Sequence, residues 1–166
     1  MTLIIDPANQ SPPTKSIALQ TRKCTDITNS QITQIDERDY EVQMEKLKAK
    51  HIGISIRPKT ISGIYNCHGM TFASRRTGIE TLTWGILKED NYENVKNSDI
   101  LAGDTVLYLS NSGEIEHSGM VLSMDGDKNL ASIFVLSKWG SGSEVIHSLY
   151  NCPYEKSSIL FYRCEK

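Results

Sequence analysis

The 166-residue sequence predicts an α+β domain, with helices in its first half and an antiparallel sheet in its second. Three observations carry this. Asp36 to Lys50 has partial helical spacing: Ile35, Tyr40, Val42, Met44 and Leu47 fall toward one side, and Glu41, Glu45, Lys46 and Lys48 line the other as a solvated face. A second helical pattern opens at Cys67 and runs to about Thr77, with Met70, Phe72 and Ala73 on its apolar face. Beyond Leu101 the pattern changes to short apolar runs divided by turn residues, which predicts five strands.

Taken in order, residues 1–34 are polar and carry Pro7, Pro12 and Pro13; they read as an extension, with Ser16 to Leu19 as its one strand-like piece. The domain proper is then 35–166. His51 to Ile56 alternates like a short strand ended by Pro58. Gly78 is placed to cap the helix that starts at Cys67, and Arg75 and Arg76 suit the negative end of its dipole. Leu82, Trp84, Ile86 and Leu87 suggest a short helix or loop over the core, and Asp90 to Asp99 reads as loop. The strands are Thr105–Leu109, His117–Leu122, Leu130–Leu136, Glu144–His147 and Ile159–Arg163, with turns at Asn111-Ser112-Gly113 and Asp125-Gly126-Asp127.

The totals exclude several functions. Lys and Arg number 18 against 20 Asp and Glu, and no basic stripe is interleaved with aromatics, so nucleic acid is not an expected partner. No apolar stretch approaches the ~18 residues of a membrane span, and Met1 to Pro7 lacks the basic start of a secretory signal. The chain is therefore expected in the cytoplasm, unless a dedicated secretion system exports it. Cys24, Cys67, Cys152 and Cys164 form no Cys-x-x-Cys pair, so neither a structural zinc nor another cofactor is expected.

Cys67 is the candidate nucleophile. Asn66 is a suitable N-cap, which sets the cysteine at the positive end of a helix, where thiolate is favoured over thiol. Gly69, one place further in, is a weak helix former and implies a close approach to the backbone. A thiol hydrolase also needs a base and a group that orients it. His117 opens a strand directly after a hairpin, and Ser118-Gly119 removes bulk beside it.

Tyr65-Asn66-Cys67-His68-Gly69-Met70 resembles the Tyr-Asp-Cys-Ser-Gly-Leu box of the papain-like NlpC-type cell-wall peptidases. Gly103-Asp104-Thr105-Val106 resembles that family's Gly-Asp-apolar-Val start of its first core strand, and His117-Ser118-Gly119-Met120-Val121 its His-Val-Gly-Ile-Tyr strand. Val145 to Leu149, followed by Pro153-Tyr154, resembles the strand and Pro-Tyr turn near its end. The resemblance implies a papain-like domain with N-terminal helices, a nucleophile helix and an antiparallel five-strand sheet. It also implies Cys67 as nucleophile, His117 as base, and Tyr65 shaping an oxyanion site with the Cys67 N–H.

The chain departs from that pattern at three places. The third triad slot falls on Ser137, a weak orienter; Lys138 is adjacent and His147 is a rival. His68 stands where the family has serine and is assigned a structural or substrate-lining role. Asn66 replaces an aspartate and keeps the cap without the charge. Trp139, flanked by Gly140, is either a core plug or a wall of the substrate groove.

The expected function is hydrolysis of an amide or peptide bond, in a peptidoglycan peptide or another amide substrate. The alternatives are a catalytically inactive papain-like binding module and a toxin-like effector that modifies a protein. A metal site from Cys67, His68, His117 and His147 is disfavoured, because adjacent Cys67 and His68 cannot easily chelate one ion from a helix.

Overall fold

Period-two alternation dominates the folded chain far more than the sequence pattern implies. A computed structural model describes residues 13–124 and 129–164. Residues 1–12, and the turn expected at Asp125-Gly126-Asp127, lie outside the described residues. The described chain runs β1 (Thr14–Lys15), β2 (Asn29–Ile32), α1 (Glu37–Lys50), β3 (Ser55–Ile56), α2 (Cys67–Phe72), β4 (Gly78–Ile79), α3 (Trp84–Glu89), β5 (Tyr92–Val95), β6 (Thr105–Leu109), β7 (Ile115–Ser123), β8 (Phe134–Lys138), β9 (Glu144–Ser148) and β10 (Ser158–Cys164). A small sheet has the order β1-β2-β4, and a seven-stranded sheet the order β3-β9-β8-β7-β6-β10-β5, with every pairing antiparallel.

This overturns the expected helix-rich papain-like α+β domain with a five-strand sheet. The regular structure of the described residues is mostly strand, in two sheets, and two of the three α-helices have only six residues. The causes are local. α2 stops at Phe72 because Ser74 and Arg75 take left-handed φ of 50° and 65°, and Gly78, expected as a helix cap, instead begins β4. Tyr92–Val95, expected as loop, is an edge strand on β10, with Phe161 opposite Val95 and Cys164 opposite Tyr92. In the stretch read as an extension, strands form at Thr14–Lys15 and Asn29–Ile32 rather than at Ser16 to Leu19. Ile27 packs there with Ala73 and Ile79.

Alternation sorts the large sheet into two faces. Leu107 and Leu109 meet Leu82, Leu87 and Phe72 beneath α2 and α3. The opposite face carries Val106, Tyr108, Val121, Val135 and Phe161, covered by Ile100, Ile133, Leu149 and Cys152. α1 is capped by Asp36, whose side chain accepts from the Arg38 N–H at 3.1 Å; only Met44 of its residues is buried, against Trp139 and Val145.

α2 packs against both β7 and β8. Its Gly69 has a packing reason: a Cβ there would overlap the carbonyl oxygen of Thr77, on the segment returning into β4. Gly69→Ala is therefore expected to destabilise the fold by about 3 kcal/mol, at the upper end of overpacking costs, because the obstacle is backbone. Urea unfolding measures this, and a loss below about 1 kcal/mol would contradict the close approach.

Candidate active site

Asn66 fixes where α2 begins. Its Oδ1 accepts from the Gly69 N–H at 2.9 Å and the Ile79 N–H at 3.2 Å, and its Nδ2 donates to the Ile79 carbonyl at 2.8 Å. The side chain thus caps the helix and pairs with β4 as a backbone amide would. Aspartate could cap but could not donate, which accounts for asparagine here.

Cys67, 8 % exposed, is the first residue of that helix. The β7–β8 ladder begins at Gly119 opposite Ser137, so His117 and Ser118 lie beyond it, at the end where α2 packs. The thiol lies within reach of the backbone N–H groups of Ser118, His68 and Cys67 itself. Those donors favour the thiolate, but burial outweighs them and pushes the thiol up to about 11.

Ser118 belongs to a one-way relay. Thr71 Oγ1 donates to the Cys67 carbonyl at 2.9 Å, and Ser118 Oγ donates to Thr71 Oγ1 at 3.3 Å. Each hydroxyl has a single hydrogen, so Ser118 Oγ must accept from His68 Nδ1, 2.9 Å away. His68 is therefore the Nδ1–H tautomer, and its Nε2 is a lone-pair acceptor. Burial holds the ring down to about 4, hence neutral.

His117 is fully buried and stacked on Tyr154, with ring centroids 4.0 Å apart and planes 9° from parallel. Neither of its nitrogens has a hydrogen-bond partner among the described residues, so it is not bonded to Cys67. Burial, with His68 and His147 nearby, holds its pKa well below the ordinary value. Its neighbour Ser118 touches the thiol, and the Tyr154 hydroxyl that shares its stack is raised by burial and by Cys67.

Ser137 does not orient His117. The Trp139 Nε1–H donates to Ser137 Oγ at 3.0 Å, and Ser137 Oγ bonds His147 Nε2 at 2.8 Å. His147 Nδ1 donates to the Ser148 carbonyl at 2.9 Å, so His147 has both nitrogens satisfied and stays neutral, held down to about 4 by burial. Trp139 is 5 % exposed and packs with Met44 and Val145, which makes it a core plug rather than a groove wall.

Beside the nucleophile lies a buried charge network. Glu144 Oε1 accepts from Tyr65 Oη at 2.9 Å and Arg75 Nε at 2.5 Å, while Oε2 accepts from Arg57 Nη1 at 2.6 Å and Arg75 Nη2 at 3.2 Å. Burial would raise this carboxyl, but the bonds to Arg75 and Tyr65 hold it below the ordinary range. The Tyr65 hydroxyl, expected to shape an oxyanion site, is thus committed to a carboxylate. Lys138, directly across the ladder from Glu144, is fully buried; its ammonium lies 4.9 Å over the Tyr65 ring and donates to the Gly142 carbonyl.

Burial pushes Lys138 down to about 8, against the pull of Glu144 and Cys67, from an ordinary 10.5. Above pH 8 the folded state has released this proton while the unfolded state keeps it, so stability rises with pH. Between pH 8 and 9, below the raised thiol, the rise from this group is expected to be about 1 kcal/mol. It should vanish in Lys138→Met. Unfolding free energies at the two pH values measure it, and an unchanged slope in the variant would refute it.

The sequence missed Ser118, Thr71, Glu144 and Arg75 as parts of the site. Hairpin pairing about Gly140, where φ is +62°, was the signal that sets Glu144 opposite Lys138. The left-handed Arg75 reaches Glu144 instead of sitting at a helix end. Among the described residues no three His, Cys, Asp or Glu side chains group as a metal would require, and no helix is long and apolar enough to cross a membrane. Comparison with protein-family models, curated proteins and solved structures returned no match.

Proposed function

We propose that the chain is a thiol-dependent hydrolase or acyltransferase acting on an amide bond, with Cys67 as nucleophile and His117 as general base. The observation that carries this is the state of His117. A buried imidazole with two unbonded nitrogens is costly to keep, and it stacks on Tyr154, whose hydroxyl is near enough to the Cys67 thiol to feel its charge. His147 supplies the contrast: the same ring, equally buried, is fully bonded.

The raised thiol and depressed imidazole favour a neutral resting pair rather than a preformed ion pair. In the proposed reaction, Sγ attacks the substrate carbonyl while its proton passes to His117. The backbone N–H groups at the start of α2 and at Ser118 stabilise the oxyanion. His117 returns the proton to the leaving nitrogen as the C–N bond breaks and a thioester remains. Water, or another acceptor, then releases the acyl group with His117 again as base.

A catalytically inactive binding module is favoured by one observation: no described side chain holds the far nitrogen of His117. Site-resolved alkylation by iodoacetamide separates the readings. The catalytic reading expects a Cys67 rate that falls in His117→Ala, while exposed Cys24 and Cys164 act as internal standards. A Cys67 rate near that of free cysteine and unchanged in the variant would exclude it.

A further inference from the structure

A cavity of about 490 Å³ lies between the 80–84 segment and the 112–116 hairpin, and the ring of His68 lines it. Its size suits a side chain or small ligand. His68 is only 6 % exposed, and its Nδ1 is committed to Ser118. The relay leaves Nε2 as an acceptor, and this nitrogen has no partner among the described residues. The charged groups on the wall are Glu80, Glu114 and Glu116; no Lys or Arg lines it, and none of these carboxylates joins an ion pair among the described residues. Trp84 closes one side, its Nε1 donating to the Gly113 carbonyl at 3.3 Å and its ring tilted against Tyr162.

The wall's hydroxyls, on Thr81, Thr83 and Ser112, can donate or accept, but every formal charge on it is negative, His68 Nε2 accepts, and the one indole N–H is already in use. The complementary group therefore donates and is positive. We infer that this cavity binds a protonated primary amine or guanidinium on the substrate, with His68 Nε2 accepting one N–H, the glutamates supplying countercharge and Trp84 covering the alkyl stem. That the bound group belongs to the substrate rests on Cys67 being the nucleophile, because His68 follows it directly. The indole face adds a cation–π contact.

The test uses the full chain carrying Cys67→Ala, with two probes: acetyl-Ala-Lys-Ala-amide and its Nε-acetylated twin. Calorimetry is expected to show the free amine binding on the order of tenfold tighter than the acetylated peptide, the size of one charged hydrogen bond. The preference should shrink to within about twofold in Glu114→Gln/Glu116→Gln, exposed positions that leave the core intact. Binding should also shift the ¹⁵N resonance of His68 Nε2. Equal affinity for the two peptides, or a preference unchanged in the double variant, would overturn the inference. A retained preference in a chain whose native form makes no acyl-enzyme would leave the cavity standing and remove the catalytic reading. Acyl-enzyme formation without the preference would do the reverse.

Discussion

His117→Leu is expected to make the protein more stable by about 1 kcal/mol while lowering thiol-dependent turnover on the order of 10²- to 10⁴-fold. The imidazole is fully buried and both nitrogens lack partners, so an apolar side chain of similar size removes a desolvation cost. Part of that gain is offset by the lost stack on Tyr154. pH adds a second signature. His68, His117 and His147 are all depressed, so the unfolded chain binds protons that the folded chain refuses, and stability falls as pH drops below about 6.5. Removing His117 should flatten that fall by roughly one proton. Unfolding at pH 7 and pH 5, with activity on the same samples, measures both effects. A destabilised variant would make His117 a packing residue.

The second large effect is expected at Glu144. Its carboxylate is almost fully buried and is shared by Tyr65, Arg57 and Arg75, with buried Lys138 across the ladder. Glu144→Gln keeps the volume but removes the charge that Arg57 and Arg75 pair with and that buried Lys138 feels across the ladder, which is expected to cost about 3 kcal/mol. The estimate lies at the low end for a broken buried pair because the Arg57 and Arg75 side chains are 47 % and 39 % exposed, and water screens what they lose. Adding Lys138→Met should recover much of the loss, and a double-mutant cycle isolates the coupling. Additive effects would show that the two groups do not interact.

Some of this was legible in the chain. The apolar run at Thr105–Leu109 is an observed strand whose burial on both faces leaves an unbroken hydrophobic signal, and Ile159–Arg163, only partly buried, lies within β10. The Asn66–Cys67 helix start was legible from capping chemistry alone. The sheet as a whole was not. β5 is polar and joins only because β10 offers a free edge, and β1 and β2 are a polar pair whose partner, β4, was hidden inside an expected helix. Partners also decided Ser137. It shares a face with Gly119 and Val145, but Trp139 and His147 take its hydrogen bonds first. Spacing along one strand cannot show which of several nearby polar groups wins.

The central claim is that Cys67 carries the acyl group and His117 moves its proton. Intact-mass and peptide mapping after single turnover with an activated acyl ester, p-nitrophenyl acetate, tests it most directly. The expected result is one acetyl group on Cys67 in the native chain, formed far more slowly in His117→Leu. Acetylation confined to the exposed Cys24 and Cys164, or an equal rate at Cys67 in both proteins, would contradict it.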